Sequence, residues 1–337
     1  MYIMVRATLL ALLLSASGHA LAKKDVPFSG IYVLGTSLSD EGNAFIQCGM
    51  QSVPPYDNLS PQKVAPGDSP YARGGHHFSN GSTWVEAIAK ELGVTNSVLP
   101  VRRNPQGTNY AQAGTTALPA TLPCRISFDD QVKEVLERGW IPSDALVIVE
   151  IGSNDVVNAL DAFVGALITI PGITIDQAKA FATNTVLMPA AEQTVLGIND
   201  LIDGGASTVL WANVTDLGLT PAIAITDEQL QGLGLLSDLF KATATEFAET
   251  YNVEVKTQLQ PQIISGTIVE FDLFQTLRDI VNDNVNGLNV SDTCVTPNIP
   301  PFACRKADNY LFWDGIHPTK AGHDIFAEEA VDVLGLL

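Results

Sequence analysis

The chain has 337 residues, 46% hydrophobic and 16% charged, which excludes a disordered or fibrous protein and fits one large globular domain or at most two. Eighteen basic residues stand against 37 acidic ones, a formal net charge of −19. A surface that negative repels phosphate backbones and anionic headgroups, so no nucleic-acid partner is expected.

Residues 1–22 read as a secretory signal peptide. Arg6 precedes the apolar run 8–14, small residues fill 15–18, and Ala20-Leu21-Ala22 offers an A-x-A cleavage site. The run is too short to span a membrane, and no later segment has the roughly 18 consecutive apolar residues that a span needs. The expectation is one mature domain over 23–337, secreted or periplasmic, with no stable membrane insertion. Oligomeric state has no signature in the sequence.

Along the mature chain, apolar runs bounded by turn residues mark strands at 31–34, 145–151, 208–214 and 267–271. Helical patterns cover 128–138, 175–202, 227–251 and 273–281, and a last helix closes the chain at 320–336. Strands alternating with helices imply an α/β fold: a mostly parallel sheet covered on both faces, a three-layer α/β/α sandwich. Segment 49–83 breaks the rhythm, being rich in Pro, Gly, Ser and Asn. It reads either as a lining of the site or as a surface excursion pinned by Cys48.

Export changes the meaning of the cysteines. Cys48, Cys124, Cys294 and Cys304 form an even set in an oxidising compartment, which implies two disulfides with three possible connectivities. The short separation of Cys294 and Cys304 favours that pair and leaves Cys48 to join Cys124. A metal site is not expected. No cysteine pair has C-x-x-C spacing, and no helical or carboxylate spacing accompanies His76-His77, which reads as near the cleft or on its rim.

Three short blocks carry groups suited to nucleophilic chemistry. Ser37 follows the first strand, in the place where an open parallel sheet binds ligands. Asn154, in Gly152-Ser153-Asn154-Asp155, also lies just beyond a strand and can donate to a developing oxyanion. Asp314 and His317, in Asp314-Gly315-Ile316-His317-Pro318, can be presented by one loop, the carboxylate orienting an imidazole that takes a serine proton. Each block alone has a plainer reading as a helix cap or an exposed turn.

Together, the blocks resemble the signature of the GDSL, or SGNH, family of serine esterases and lipases. Gly35 to Asn43 is similar to GDSLSD-x-GN with Thr36 in place of the aspartate. Gly114, in Asn109-Tyr110-Ala111-Gln112-Ala113-Gly114, resembles the glycine that donates a backbone N–H to the oxyanion. Gly152 to Asp155 matches G-x-N-D, Asp314 to Pro318 matches D-x-x-H-P, and Phe78-Ser79-Asn80-Gly81 is similar to the end of G-R-F-S-N-G. The matches stand in family order along nearly the whole mature chain.

The resemblance implies a flavodoxin-like SGNH fold, with Ser37 as nucleophile, His317 as general base and Asp314 as its orienting carboxylate. The Ser37 and Gly114 amides and the Asn154 side chain would form the oxyanion hole. No metal or organic cofactor is implied. The implied activity is hydrolysis of carboxylic esters, as in bacterial secreted lipases, phospholipases and lysophospholipases A, some of which also transfer acyl groups to alcohols. A carbohydrate O-acetyl esterase and a non-catalytic binding protein retaining the fold are the alternatives.

Overall fold

The computed structural model describes residues 27–49, 77–119, 124–232, 238–295 and 301–336. The segment read as a signal peptide and most of the polar excursion after Cys48 lie outside them. Four strands, β1 (Ile31–Gly35), β2 (Leu146–Glu150), β3 (Thr208–Ala212) and β4 (Ile268–Phe271), pair in parallel in that order. Outside β1, Asn109 makes a parallel bridge to Val33, and Tyr110 N–H donates to Val33 O at 2.7 Å. The second extended segment in the chain thus lies beyond the first, the order of flavodoxin-like sheets.

Ten helices frame the sheet among the described residues: α1 (Asn43–Gln47), α2 (Trp84–Glu91), α3 (Phe128–Glu137), α4 (Ser153–Thr169), α5 (Ile175–Ala182), α6 (Met188–Asp203), α7 (Pro221–Gly232), α8 (Leu239–Ser265), α9 (Leu273–Asn282) and α10 (Lys320–Val333). The period-2 alternation of the strands divides them into two layers. Leu146 and Ile148 of β2 pack with α2, α9 and α10, while Val147 and Val149 face α3, α4, α6 and α8. Because both faces are covered, β2 is apolar at every position except its last, Glu150. Helix starts follow side-chain chemistry: Thr83 with Glu86, Ser127 with Asp130 and Thr174 with Gln177 form capping boxes.

One helical expectation is corrected. The stretch expected as one helix over 227–251 is two, because α7 ends at Gly232 and α8 restarts after Asp238, whose φ of +58° is not helical. The Asp227 carboxylate accepts from Asp238 N–H and Phe240 N–H, both at 3.0 Å, so a side chain of α7 caps α8. The stretch expected over 175–202 is helical throughout, α5 and α6 being joined by a π-helical segment at Thr183–Leu187. Helix α4, with no counterpart in the expected elements, starts directly from the G-x-N-D block.

A small parallel pair, β5 (Asn289–Thr293) and β6 (Tyr310–Phe312), leads into the Asp314–His317 loop. Cys294 N–H donates to Phe312 O at 3.1 Å and Val295 N–H to Trp313 O at 2.8 Å, so chain beside one disulfide holds the loop in place. That disulfide joins Cys294 to Cys304, and the other joins Cys48, just past α1, to Cys124. Sequence separations of 10 and 76 make the second bond the greater constraint on the unfolded chain, about 4–5 kcal/mol against about 3 in the loop-entropy model. Replacing both cysteines of a pair by serine should therefore lower Tm more for Cys48 and Cys124 than for Cys294 and Cys304. Thermal melts of the two double variants check this, and the reverse order would contradict it.

Candidate active site

The turn after β1, the extended segment at its edge, the start of α4 and the loop before α10 all meet at the carboxyl ends of the parallel strands, where open α/β sheets bind ligands. Ser37 stands in the first, partly exposed. Its Oγ is 2.8 Å from His317 Nε2, and His317 Nδ1 is 2.7 Å from Asp314 Oδ2. With the Nδ1 proton donated to the carboxylate, Nε2 is the acceptor for the serine hydroxyl. Asp314 is fully buried, and its Oδ1 accepts from the N–H groups of Ile316 at 2.9 Å and His317 at 2.7 Å. Burial raises the Asp314 pKa, but the His317 charge and these hydrogen bonds outweigh it and hold it below the ordinary carboxylate value.

The loop owes its shape to its ends. Trp313 N–H donates to His317 O at 2.8 Å, and Thr319 N–H to Leu311 O at 2.8 Å. Ser79 Oγ donates to Pro318 O at 2.9 Å, Asn80 Oδ1 accepts from Lys320 N–H at 2.7 Å, and the Phe78 ring lies 5.4 Å from the His317 ring. The Phe78–Gly81 stretch thus braces the imidazole.

Hydrogen bonds tie together the three segments that carry the groups expected to form an oxyanion hole. In the Ser37 turn, Asp40 Oδ1 accepts from Gly42 and Asn43 N–H, while Oδ2 accepts from Ala44 N–H and, at 2.8 Å, from Ala113 N–H. Gly114 follows with φ +78°, a conformation glycine enters without strain. The Asn154 amide, in the first turn of α4, donates to Thr115 O at 2.8 Å. An amide carries two donors, and fixing one directs the other. Asp155 closes the network by accepting from Ala117 N–H at 2.8 Å and Leu118 N–H at 3.3 Å. Gly152, the N-cap of α4, has φ +115°, and a Cβ there would lie 2.3 Å from the Tyr251 ring, so this start admits no side chain.

Beneath the Ser37 turn lies a carboxylate that the motif blocks do not include. Glu150, the last residue of β2, is 1% exposed. Its Oε2 accepts from Thr36 N–H at 3.1 Å and Ser39 Oγ at 3.3 Å, and Thr36 Oγ1 is 2.9 Å from both carboxylate oxygens. Gln131 of α3 clamps the end of β1, accepting from Gly35 N–H at 2.8 Å and donating to Gly35 O at 2.9 Å. Both had a signal in the sequence. Glu150 is the one charged residue in 145–151, and Gln131 interrupts an otherwise apolar helix face of Phe128, Val132 and Val135.

Burial raises the Glu150 pKa to about 7 from an ordinary 4.5, against the hydrogen bonds of Thr36 and Ser39. The folded protein therefore keeps a proton that the unfolded chain has released. Its contribution to stability is full below pH 4.5 and is lost as pH rises to about 7. Buried Asp155, raised from 3.8 to about 6, acts with the same sign in a lower window. Glu150→Gln cannot ionise, so its Tm should gain on the native Tm between pH 5 and pH 8. Parallel Tm profiles would contradict the raised pKa of Glu150 in the folded protein.

His77 is buried rather than on the rim, and its Nε2 is 2.9 Å from Glu86 Oε2. With Glu41 these residues form the one group among those described whose donor atoms, all within 4.8 Å of one another, could hold a cation. The Glu86 oxygen also accepts from Thr83 N–H at 3.1 Å in the α2 capping box, so the trio has a structural employment of its own.

A serine, an imidazole and a buried carboxylate in hydrogen-bond sequence, at the strand ends of a flavodoxin-like sheet, define the class as a serine hydrolase. The GDSL-like lipase/acylhydrolase family model matches residues 31–330, and the chain belongs to that family. Curated relatives agree along their length. One GDSL esterase/lipase of Arabidopsis thaliana is 24% identical over 348 residues, 90% of this chain and 85% of the relative. A second from the same plant is 25% identical over 346 residues, covering 91% and 87%, and a third is 26% identical over 331 residues, covering 89% and 86%. The protein is a serine ester hydrolase acting on carboxylic esters.

Proposed function

We propose that Ser37 is the nucleophile, His317 the general base and Asp314 the carboxylate that orients it, with the Ser37 and Gly114 amides and the Asn154 side chain as oxyanion donors. The observation that carries this reading is the unbroken chain from Ser37 Oγ through both His317 nitrogens to Asp314. His317 takes the hydroxyl proton as Oγ attacks the ester carbonyl, and the negative charge that develops on the carbonyl oxygen meets the three donors. The imidazolium then returns the proton to the departing alcohol, leaving Ser37 acylated. Water, or an alcohol acceptor, attacks the acyl-enzyme with His317 again as base.

The enzyme works outside the cytoplasm as one domain over 23–337, after removal of 1–22. Two disulfides support export. Its substrates are lipid acyl esters, phospholipids and lysophospholipids included. Among the described residues no helix is long and apolar enough to cross a membrane. Initial rates on p-nitrophenyl acetate, butyrate and palmitate, a lysophospholipid and an acetylated sugar test the substrate class. Turnover of the palmitate ester and the lysophospholipid is expected. Activity confined to acetyl esters would replace this reading with that of a carbohydrate O-acetyl esterase.

A further inference from the structure

Resting on the reading of Ser37 as nucleophile, we infer that Glu150 is a positioning residue that sets Ser37 against its oxyanion donors. The geometry is specific to that task. Thr36 and Ser39 flank the two residues Ser37 and Leu38, and both flanking residues bond to the same carboxylate. The turn is therefore gripped on each side of the nucleophile. Glu150 itself is part of the strand that delivers Asn154 four residues later, so one side chain ties the nucleophile turn to the donor element.

The grip extends into the helical layer. Trp84 Nε1, on α2, donates to Ser39 Oγ at 3.0 Å, and Trp84 N–H donates to His323 Nδ1 of α10 at 3.3 Å. Burial, with the His317 and His77 charges, pushes the His323 pKa down to about 3, so this ring stays neutral and accepts. Gly35 leaves room for the carboxylate, since a Cβ there would lie 3.1 Å from Glu150 Oε2 and 2.6 Å from Glu150 O. A packing role alone would be served by an apolar side chain. The carboxyl is needed because the Thr36 N–H is a fixed donor pointing into the interior, where it must be met.

Catalysis by an attacking hydroxyl depends steeply on its placement, with about 10²-fold lost for a displacement near 1 Å. Glu150→Ala should therefore lower kcat, and the rate at which a fluorophosphonate labels Ser37, by about 10²-fold with KM little changed. Glu150→Gln should recover both to within about tenfold, because its amide oxygen still accepts from Thr36 N–H and Ser39. Thr36→Val should slow labelling in the native background and add little in Glu150→Ala, since both act through one contact.

The experiment is labelling kinetics on native protein and these four variants, beside kcat, KM and Tm. Folded Glu150→Ala labelled within threefold of native overturns the inference, as does failure of Gln to rescue. Should Glu150→Ala not fold, Thr36→Val labelled at the native rate overturns it instead. Absence of label from Ser37 in the native protein defeats the nucleophile reading itself, a separate result.

Discussion

Replacing Ser37, His317 or Asp314 singly is expected to remove nearly as much activity as replacing all three. The hydroxyl, imidazole and carboxylate form one hydrogen-bonded unit, at 2.8 and 2.7 Å, so in the proposed roles losing any member would disable the proton transfer that the others serve. Loss of kcat on the order of 10⁴–10⁶ is expected for Ser37→Ala and His317→Ala, somewhat less for Asp314→Ala, and little more for the triple variant. Ser37→Ala should fold normally, because it removes a partly exposed hydroxyl. Asp314→Ala carries a second cost: it leaves the N–H groups of Ile316 and His317 without their acceptor inside the protein. Its Tm should fall where that of Ser37→Ala does not. Near-additive losses of kcat across the three sites would mean that they do not work as a unit.

Asn154 carries the second large effect. Asn154→Ala removes the side-chain donor proposed for the oxyanion, and a loss of about 10²–10³ in kcat is expected. Asn154→Asp should be worse. It places a negative charge beside a developing negative charge, and beside Thr115 O, which accepts from the amide at 2.8 Å. Because the contact strengthens in the transition state, KM should change little in either variant. A large rise in KM with kcat preserved would assign Asn154 to ground-state binding instead.

The groups expected to do the chemistry were legible because each lies in a short block whose local geometry is fixed by neighbours in sequence. Asp314 and His317 are three residues apart in one loop, and Asn154 starts the helix that its own block initiates. The strands were legible for the same reason, since β2 is an apolar run as far as its last residue, Glu150. What surrounds the chemistry was harder to read. Glu150 meets Thr36 across 114 residues, and Gln131 meets Gly35 across 96, so no local pattern announces either contact. Helix α4 was hidden because Gly152 to Asp155 resembles a loop motif, although Val156, Leu160 and Phe163 mark its buried face. The break between α7 and α8 depends on Asp227 reaching forward to cap the next helix, a tertiary contact that periodicity does not register.

The two disulfides bear on the site from either side. Cys48–Cys124 ties the helix after the Ser37 turn to the chain beyond Gly114, where Gln112 Nε2 donates to Cys124 O at 2.8 Å. Cys294 packs with Phe78, Ala113 and Trp313 in a small apolar cluster beneath the Asp314–His317 loop. The loops that carry the candidate site are thus fastened at points outside the sheet, which suits a site assembled from four separate connections.

The measurement that tests the central claim most directly is the position of a covalent label. A fluorophosphonate reacts with an activated serine hydroxyl and with little else. After treatment of the folded protein, peptide mapping should find the adduct on Ser37 alone, and His317→Ala should abolish it. Label on a different serine, or equal labelling of the His317→Ala variant, would contradict the account.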